Sequence, residues 1–239
     1  MPWREKLIIA LDVPDSEYAL ELVDKFGDQI EIYKVGLELF TSAGPKIVQG
    51  IHKRKKKVFL DLKLHDIPNT AAKAAVAAAR LGVYMFNVHA SGGLDMMKMC
   101  RDSVVELCLK ENLPKPKILG VTVLTSMSQE VLKAEIGIQH SLNTHVRHLS
   151  ALALKAGLDG VVASGHEVAK IKSQCGNKFL IVTPGIRPSW HPPDDQHRTM
   201  TPKQALREGA DYIVMGRAII NSDNPLKTLE LISLEMLTV

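Results

Sequence analysis

Short apolar runs alternate with amphipathic stretches along the whole of this chain. The runs, at residues 7–11, 30–35, 58–62, 85–88, 118–124, 160–163, 179–182 and 212–215, are rich in valine, isoleucine and leucine. Near-continuous apolar runs of that length read as strands buried on both faces, the pattern of a parallel sheet. Between them, residues 16–26, 69–81, 94–109 and 144–156 carry apolar positions at helical spacing. Eight strands alternating with helices predict an α/β fold, a TIM (β/α)8 barrel. An open doubly wound sheet is the alternative. It usually carries G-x-G-x-x-G after its first strand, where this chain has Asp12-Val13-Pro14-Asp15. No composition shift or Pro/Ser-rich linker divides the sequence, so residues 1–239 are expected to form a single domain.

Composition changes that picture little. A length of 239 residues suits one barrel, and 46% hydrophobic content supplies a core. No apolar segment approaches the roughly 20 residues of a membrane span. Met1-Pro2-Trp3-Arg4-Glu5-Lys6 runs straight into a strand without the apolar region of a signal peptide. The expectation is therefore a cytoplasmic protein with no membrane partner. Cys100 and Cys108 stand eight apart in one predicted helix, about 12 Å along its axis and beyond disulfide reach. With Cys175 alone, and no metal-type Cys/His spacing, the cysteines read as small apolar residues or idle thiols, and no metal is expected. Much of the basic excess behind the net charge of +4 sits in residues 52–57. Such a run fits either nucleic acid or a solvated helix end and turn. The absence of aromatic stacking residues favours the second reading, so no nucleic-acid partner is expected.

A barrel makes one demand: polar chemistry should collect where strands end, on the C-terminal face. The sequence meets it with Asp12, Lys34, Asp61 with Lys63, Asn87 with His89, Thr125 with Ser126, Thr183-Pro184-Gly185-Ile186-Arg187, and Gly216-Arg217. Asp61 and Lys63 are two apart on a strand and share a face, with Asp66 in the loop beyond. A bare D-x-K-x-x-D is open to reading as an ordinary ion pair at a strand end. The loops after strands seven and eight are the usual phosphate site of the architecture, and both carry an arginine, Arg187 and Arg217. Residues 189–200 are polar, proline-containing and long for a barrel connection, which predicts a lid or else a disordered surface loop. Thr201-Pro202 reads as N-cap and first residue of the next helix.

The decapeptide Asp61-Leu62-Lys63-Leu64-His65-Asp66-Ile67-Pro68-Asn69-Thr70 resembles the signature of the orotidine 5′-phosphate decarboxylase family. The resemblance extends in order over Ala10-Leu11-Asp12, Lys34-Val35-Gly36, His89-Ala90-Ser91-Gly92-Gly93, residues 121–126, Thr183 to Pro188, Asp195-Gln196 and Met215-Gly216-Arg217. It implies cofactor-independent decarboxylation of orotidine 5′-phosphate to UMP by a homodimer with shared active sites. By that resemblance Lys63 protonates the ring carbanion, Asp61 stands near the departing carboxylate, and Asp66 enters from the neighbouring subunit. Lys34 links the charged array to a ribose hydroxyl, which Asp12 also binds, and Thr70 reaches across the interface. Thr125 and Ser126 address the pyrimidine, Gln196 the closed lid, and Arg187 with Arg217 the phosphate, beside Pro184 and Gly216. The nearest rivals, hexulose-phosphate synthase and ketogulonate-phosphate decarboxylase, share D-x-K-x-x-D but use Mg²⁺. Their relatives place a carboxylate near the end of strand two, where this chain has Lys34.

Overall fold

Eight strands pair in sequence order, all parallel: β1 (Leu7–Ala10), β2 (Ile32–Gly36), β3 (Lys57–Leu64), β4 (Met85–His89), β5 (Lys117–Val121), β6 (Gly160–Val162), β7 (Leu180–Thr183) and β8 (Tyr212–Met215). β8 also pairs with β1, at Leu7↔Ile213 and Ile9↔Met215, so the sheet closes on itself. The computed structural model describes residues 3–190 and 199–237. Its helices are α1 (Trp3–Lys6), α2 (Ser16–Phe26), α3 (Leu37–Ala43), α4 (Pro45–Lys53), α5 (Pro68–Arg80), α6 (Gly93–Glu111), α7 (Gln129–Ala134), α8 (Leu142–Lys155), α9 (Val168–Cys175), α10 (Pro202–Arg207), α11 (Arg217–Ile220) and α12 (Pro225–Leu237).

Alternation along each strand divides two apolar clusters. Leu7, Ile9 and Leu11 face the helices, while Ile8 and Ala10 face the barrel axis. Tyr33, Val35, Val58 and Leu60 point outward in the same way, and Ile32 and Phe59 inward. The interior is a packed core, and at its N-terminal end the Tyr212 and Tyr84 hydroxyls meet at 2.9 Å. Continued one pleat further, the inward rows end in Lys34, Asp61 and Asn87, all buried, on the C-terminal face. The fold thus delivers its charged residues to one end because the axial positions below them are apolar.

Two strands end more than one residue away from the sequence reading. β5 stops at Val121, three residues before the end of the apolar run, because the short partner β6 ends at Val162. Val123 is apolar and buried in the loop beyond the strand. β3 runs two residues beyond its expected end, since pairing with β4 resumes at Leu64↔Val88 after a shift of register. The basic run forms the end of α4, a turn and the start of β3, with ion pairs Arg54–Asp24, Lys56–Asp28 and Lys57–Glu31. Its charges are thus shared with acidic neighbours. Thr201 caps α10 with Gln204 in a reciprocal box and Pro202 at its start, as expected.

Strand approach is tightest at Gly160, where an added Cβ would overlap the Leu180 carbonyl oxygen and crowd its Cβ. The obstacle is backbone of the adjacent strand, which cannot rotate aside. Gly160→Ala should therefore lower stability by roughly 1–3 kcal/mol, the scale of overpacking. Urea unfolding should show a lower midpoint at unchanged slope.

Candidate active site

A cavity of about 280 Å³ opens at the C-terminal ends of the strands. Asp12, Lys34, Asp61, Lys63, Thr125, Ser126, Pro184, Arg187, Gly216 and Arg217 all line it. Residues from seven strands or the loops that follow them converge there, over a floor that includes Phe59, Val121 and Val214. Asp66 and Thr70 are outside this set. Both are exposed, and the Asp66 carboxylate accepts the Ile67 N–H at 2.7 Å. Asp195 and Gln196 lie outside the described residues, as does most of the expected lid.

Four charges alternate along one wall. The Lys34 ammonium donates to Asp12 Oδ1 at 2.7 Å and lies 3.3 Å from Asp61 Oδ2. Lys63 Nζ donates to the other Asp61 oxygen at 2.9 Å. Asp61 and Lys34 are each only 8% exposed, so the centre of this ionic array is shielded from water, while Asp12 at one end is exposed and Lys63 at the other is half-buried. Burial by itself would raise the Asp61 carboxyl; the charges of Lys34 and Lys63, with hydrogen bonds from Lys63 and Asn87, outweigh it and hold the group below the ordinary 3.8. Burial likewise opposes the charge on Lys34, but Asp61 and Asp12 hold its pKa above the usual lysine value. Both groups therefore stay ionised at neutral pH.

The backbone that presents Lys63 is irregular. Lys63 has φ of +52°, in the left-handed region, which costs a residue with a side chain about 1–2 kcal/mol. Asn87 compensates from β4: its Oδ1 accepts the Lys63 N–H at 2.8 Å while its Nδ2 donates to Asp61 Oδ1 at 2.6 Å. Pleat alternation alone put Asp61 and Lys63 on one face, yet their meeting also involves this shift of register. Near the cavity, His89 lies 5.2 Å from His65 between ring centroids, and burial, with help from His65 and Lys63, lowers its pKa.

Two glycines are fitted to the site for space. A Cβ on Gly36 would stand 3.0 Å from Lys34 Nζ and 3.1 Å from Asp12 Oδ1, and one on Gly216 3.1 Å from Ala10 Cβ. Gly185 has φ of +73°, a conformation that favours glycine, and turns the chain into Arg187. The expected lid is clasped at its base. Ile186 and Met200 form an isolated bridge, with Arg187 N–H donating to Met200 O at 3.0 Å.

Among the described residues, no cluster of three or more His, Cys, Asp and Glu side chains is arranged to hold a metal ion. No helix there is long and apolar enough to cross a membrane. The cysteines are unpaired.

Comparison with known proteins agrees with this geometry. The family described as "Orotidine 5'-phosphate decarboxylase / HUMPS family" matches residues 5–232. The chain belongs to that family. An orotidine 5′-phosphate decarboxylase of Saccharophagus degradans is 52% identical over 231 residues, covering 97% of this chain and 94% of the relative. One from Moorella thermoacetica is 48% identical, covering 98% and 92%. The crystal structure of orotidine 5′-phosphate decarboxylase from Lactobacillus acidophilus superposes with a TM-score of 0.85 at 38% identity, over 97% of this chain and 99% of that one. In this member of the family, the alternating array fills the centre of the barrel mouth. Sequence reasoning finds Asn87 as a strand-end residue without a task, and Gly36 only as part of a motif.

The buried carboxylate gives a pH dependence with a definite sign. A depressed aspartate contributes stability that is present above its unfolded value near 3.8 and is lost as pH falls through the lower folded value. Asp61→Asn should be less stable than wild type at pH 7 by roughly 3 kcal/mol, the lower end of the cost of breaking a buried pair, because Lys34 keeps Asp12. The gap should narrow below about pH 4 in urea unfolding measured across pH.

Proposed function

We propose that this chain decarboxylates orotidine 5′-phosphate to UMP without a cofactor, as the last step of pyrimidine nucleotide synthesis. The observation that carries this reading is the Asp12–Lys34–Asp61–Lys63 array, buried at its Lys34–Asp61 centre, in a cavity that also takes Arg187 and Arg217 from the two usual phosphate loops. The names of the relatives support the same substrate. The family title also spans HUMPS enzymes. Lys34 on β2 argues against their metal-assisted chemistry, since an ammonium 3.3 Å from Asp61 opposes a divalent cation there.

In the proposed reaction the bond from ring carbon 6 to its carboxylate breaks and CO2 leaves. The bonding pair stays on carbon 6, with no electron sink to spread it. The Lys63 ammonium stabilises that developing charge and then donates its proton, giving UMP; water later returns the proton to the amine. Asp61 orients Lys63 and stands near the departing carboxylate. Lys34 and Asp12 take the ribose hydroxyls, Thr125 and Ser126 the pyrimidine, and Arg187 with Arg217 the phosphate beside Pro184 and Gly216. Gln196 completes the closed lid, whose clasp brings its two ends together next to Arg187. Energy from the phosphate contacts then drives closure and raises the rate of the chemical step, not merely the affinity.

We further assign the whole chain to one catalytic unit, active in the cytoplasm as a homodimer. The exposed positions of Asp66 and Thr70 support their acting across the interface. A two-fold dimer then holds two composite sites, each with Lys63 from one protomer and Asp66 from the other.

Purified protein in metal-free, chelator-treated buffer should consume orotidine 5′-phosphate, followed by loss of its absorbance. Lys63→Ala should fold and bind UMP but show no turnover; normal turnover by that variant would remove the mechanism. Mixing inactive Lys63→Ala with inactive Asp66→Ala should restore about one quarter of wild-type activity, because about half of re-paired dimers are mixed and each holds one intact site. No recovery, with subunit exchange verified by mass, would place Asp66 within its own chain's site.

A further inference from the structure

We infer that Asn87 is a positioning residue for this reaction: by gripping the Lys63 main chain and the Asp61 carboxylate at once, it sets where the Lys63 ammonium stands. The inference rests on the decarboxylase reading above.

Asn87 is completely buried at the inward position of β4 between Met85 and His89, and it does not line the cavity. It is therefore poorly placed to touch substrate. Both ends of its amide are engaged, and both engage the same short stretch of β3, two residues apart. Pairing between these strands is Leu60↔Phe86 and then Leu64↔Val88, so four steps on β3 match two on β4. In the slack the Lys63 N–H turns from the backbone ladder to a side chain, and Lys63 enters the left-handed region. A lysine has no preference for that conformation, so it persists where tertiary contacts impose it. The 2.8 Å bond to Asn87 is such a contact, and it acts at the root of the side chain whose tip does the chemistry.

Among side chains of this size, a neutral amide suits the task. It accepts from Lys63 N–H with its oxygen and donates to Asp61 with its nitrogen. A leucine of similar volume would leave a buried N–H unmatched and deprive Asp61 of a donor. An ionised aspartate would still accept from Lys63 but would set a second negative charge against Asp61. Once protonated, that aspartate carries one donor and one acceptor and imitates the amide. The titratable groups around it are Asp61 and Lys63 on β3 and His89 on its own strand, with Lys34 beyond Asp61.

The test is steady-state kinetics on orotidine 5′-phosphate across pH, with UMP affinity measured separately. Asn87→Ala should lower kcat by about 100-fold, the scale for misplacing a reacting group by about 1 Å, with UMP affinity within about threefold of wild type. Asn87→Asp should be impaired at pH 7 and regain kcat as pH falls, while wild type shows no such acid recovery. A purely structural role would lower kcat and UMP affinity together without the acid recovery, and that result overturns the inference, as does a folded Asn87→Ala with wild-type kcat. Should Asn87→Ala fail to fold, the isosteric Asn87→Asp decides by the presence or absence of acid recovery. A wild type without turnover would overturn the function itself, whereas normal wild-type turnover beside unimpaired variants overturns only the role of Asn87.

Discussion

One carboxylate organises this molecule's mouth. Asp61 accepts from Lys63 and Asn87 on one oxygen and faces Lys34 across the other, and only 8% of the residue meets solvent. Taking an isolated carboxylate out of water costs several kcal/mol. The surrounding donors reverse that penalty strongly enough to keep it ionised below its ordinary pKa. Each lysine in turn is held by the same group, so none of the central charges has an independent position. Such an arrangement is poor evidence for stability and good evidence for a site whose geometry matters.

The barrel makes that geometry possible. Axial positions below the array are filled by Phe59, Val121, Val214 and their neighbours, and the Tyr84–Tyr212 contact closes the far end. The charged groups therefore line a cavity that opens at the mouth. Fixed dipoles and charges in a poorly hydrated pocket act more strongly on a developing carbanion than they would in water. The proposed chemistry, which has no electron sink, needs that strength.

Much of this is legible in the chain because two periodicities carry it. Apolar runs separated by amphipathic segments predict the closed sheet, and pleat alternation predicts the faces of Asp12, Lys34 and Asp61. What escapes is the part governed by backbone irregularity. Nothing in a lysine announces a positive φ, and nothing in Val58-Phe59-Leu60 announces that two residues of register will be lost before Leu64. Asn87 is visible as a polar residue at a strand end, but which N–H it accepts depends on that slip. The end of β5 is overestimated for a related reason: Val123 is apolar because it is buried, and burial in a loop looks like burial in a strand. Asp66 and Thr70 are legible only as members of the decapeptide motif, since both are exposed and neither lines the cavity.

Gly36 carries an evolutionary consequence. Its backbone, at φ −93° and ψ −174°, is open to any amino acid, so glycine sits there for volume and not for conformation. The space it leaves is taken by the ammonium of Lys34 and the carboxylate of Asp12. Residues that share so small a space have non-additive substitution effects. Positions 12, 34 and 36 are therefore coupled: a methyl group at 36 would make the Lys34 ammonium or the Asp12 carboxylate give way, and so would disturb the array. Variation at an ordinary, unstrained glycine is thereby tied to the reach of a side chain two residues earlier.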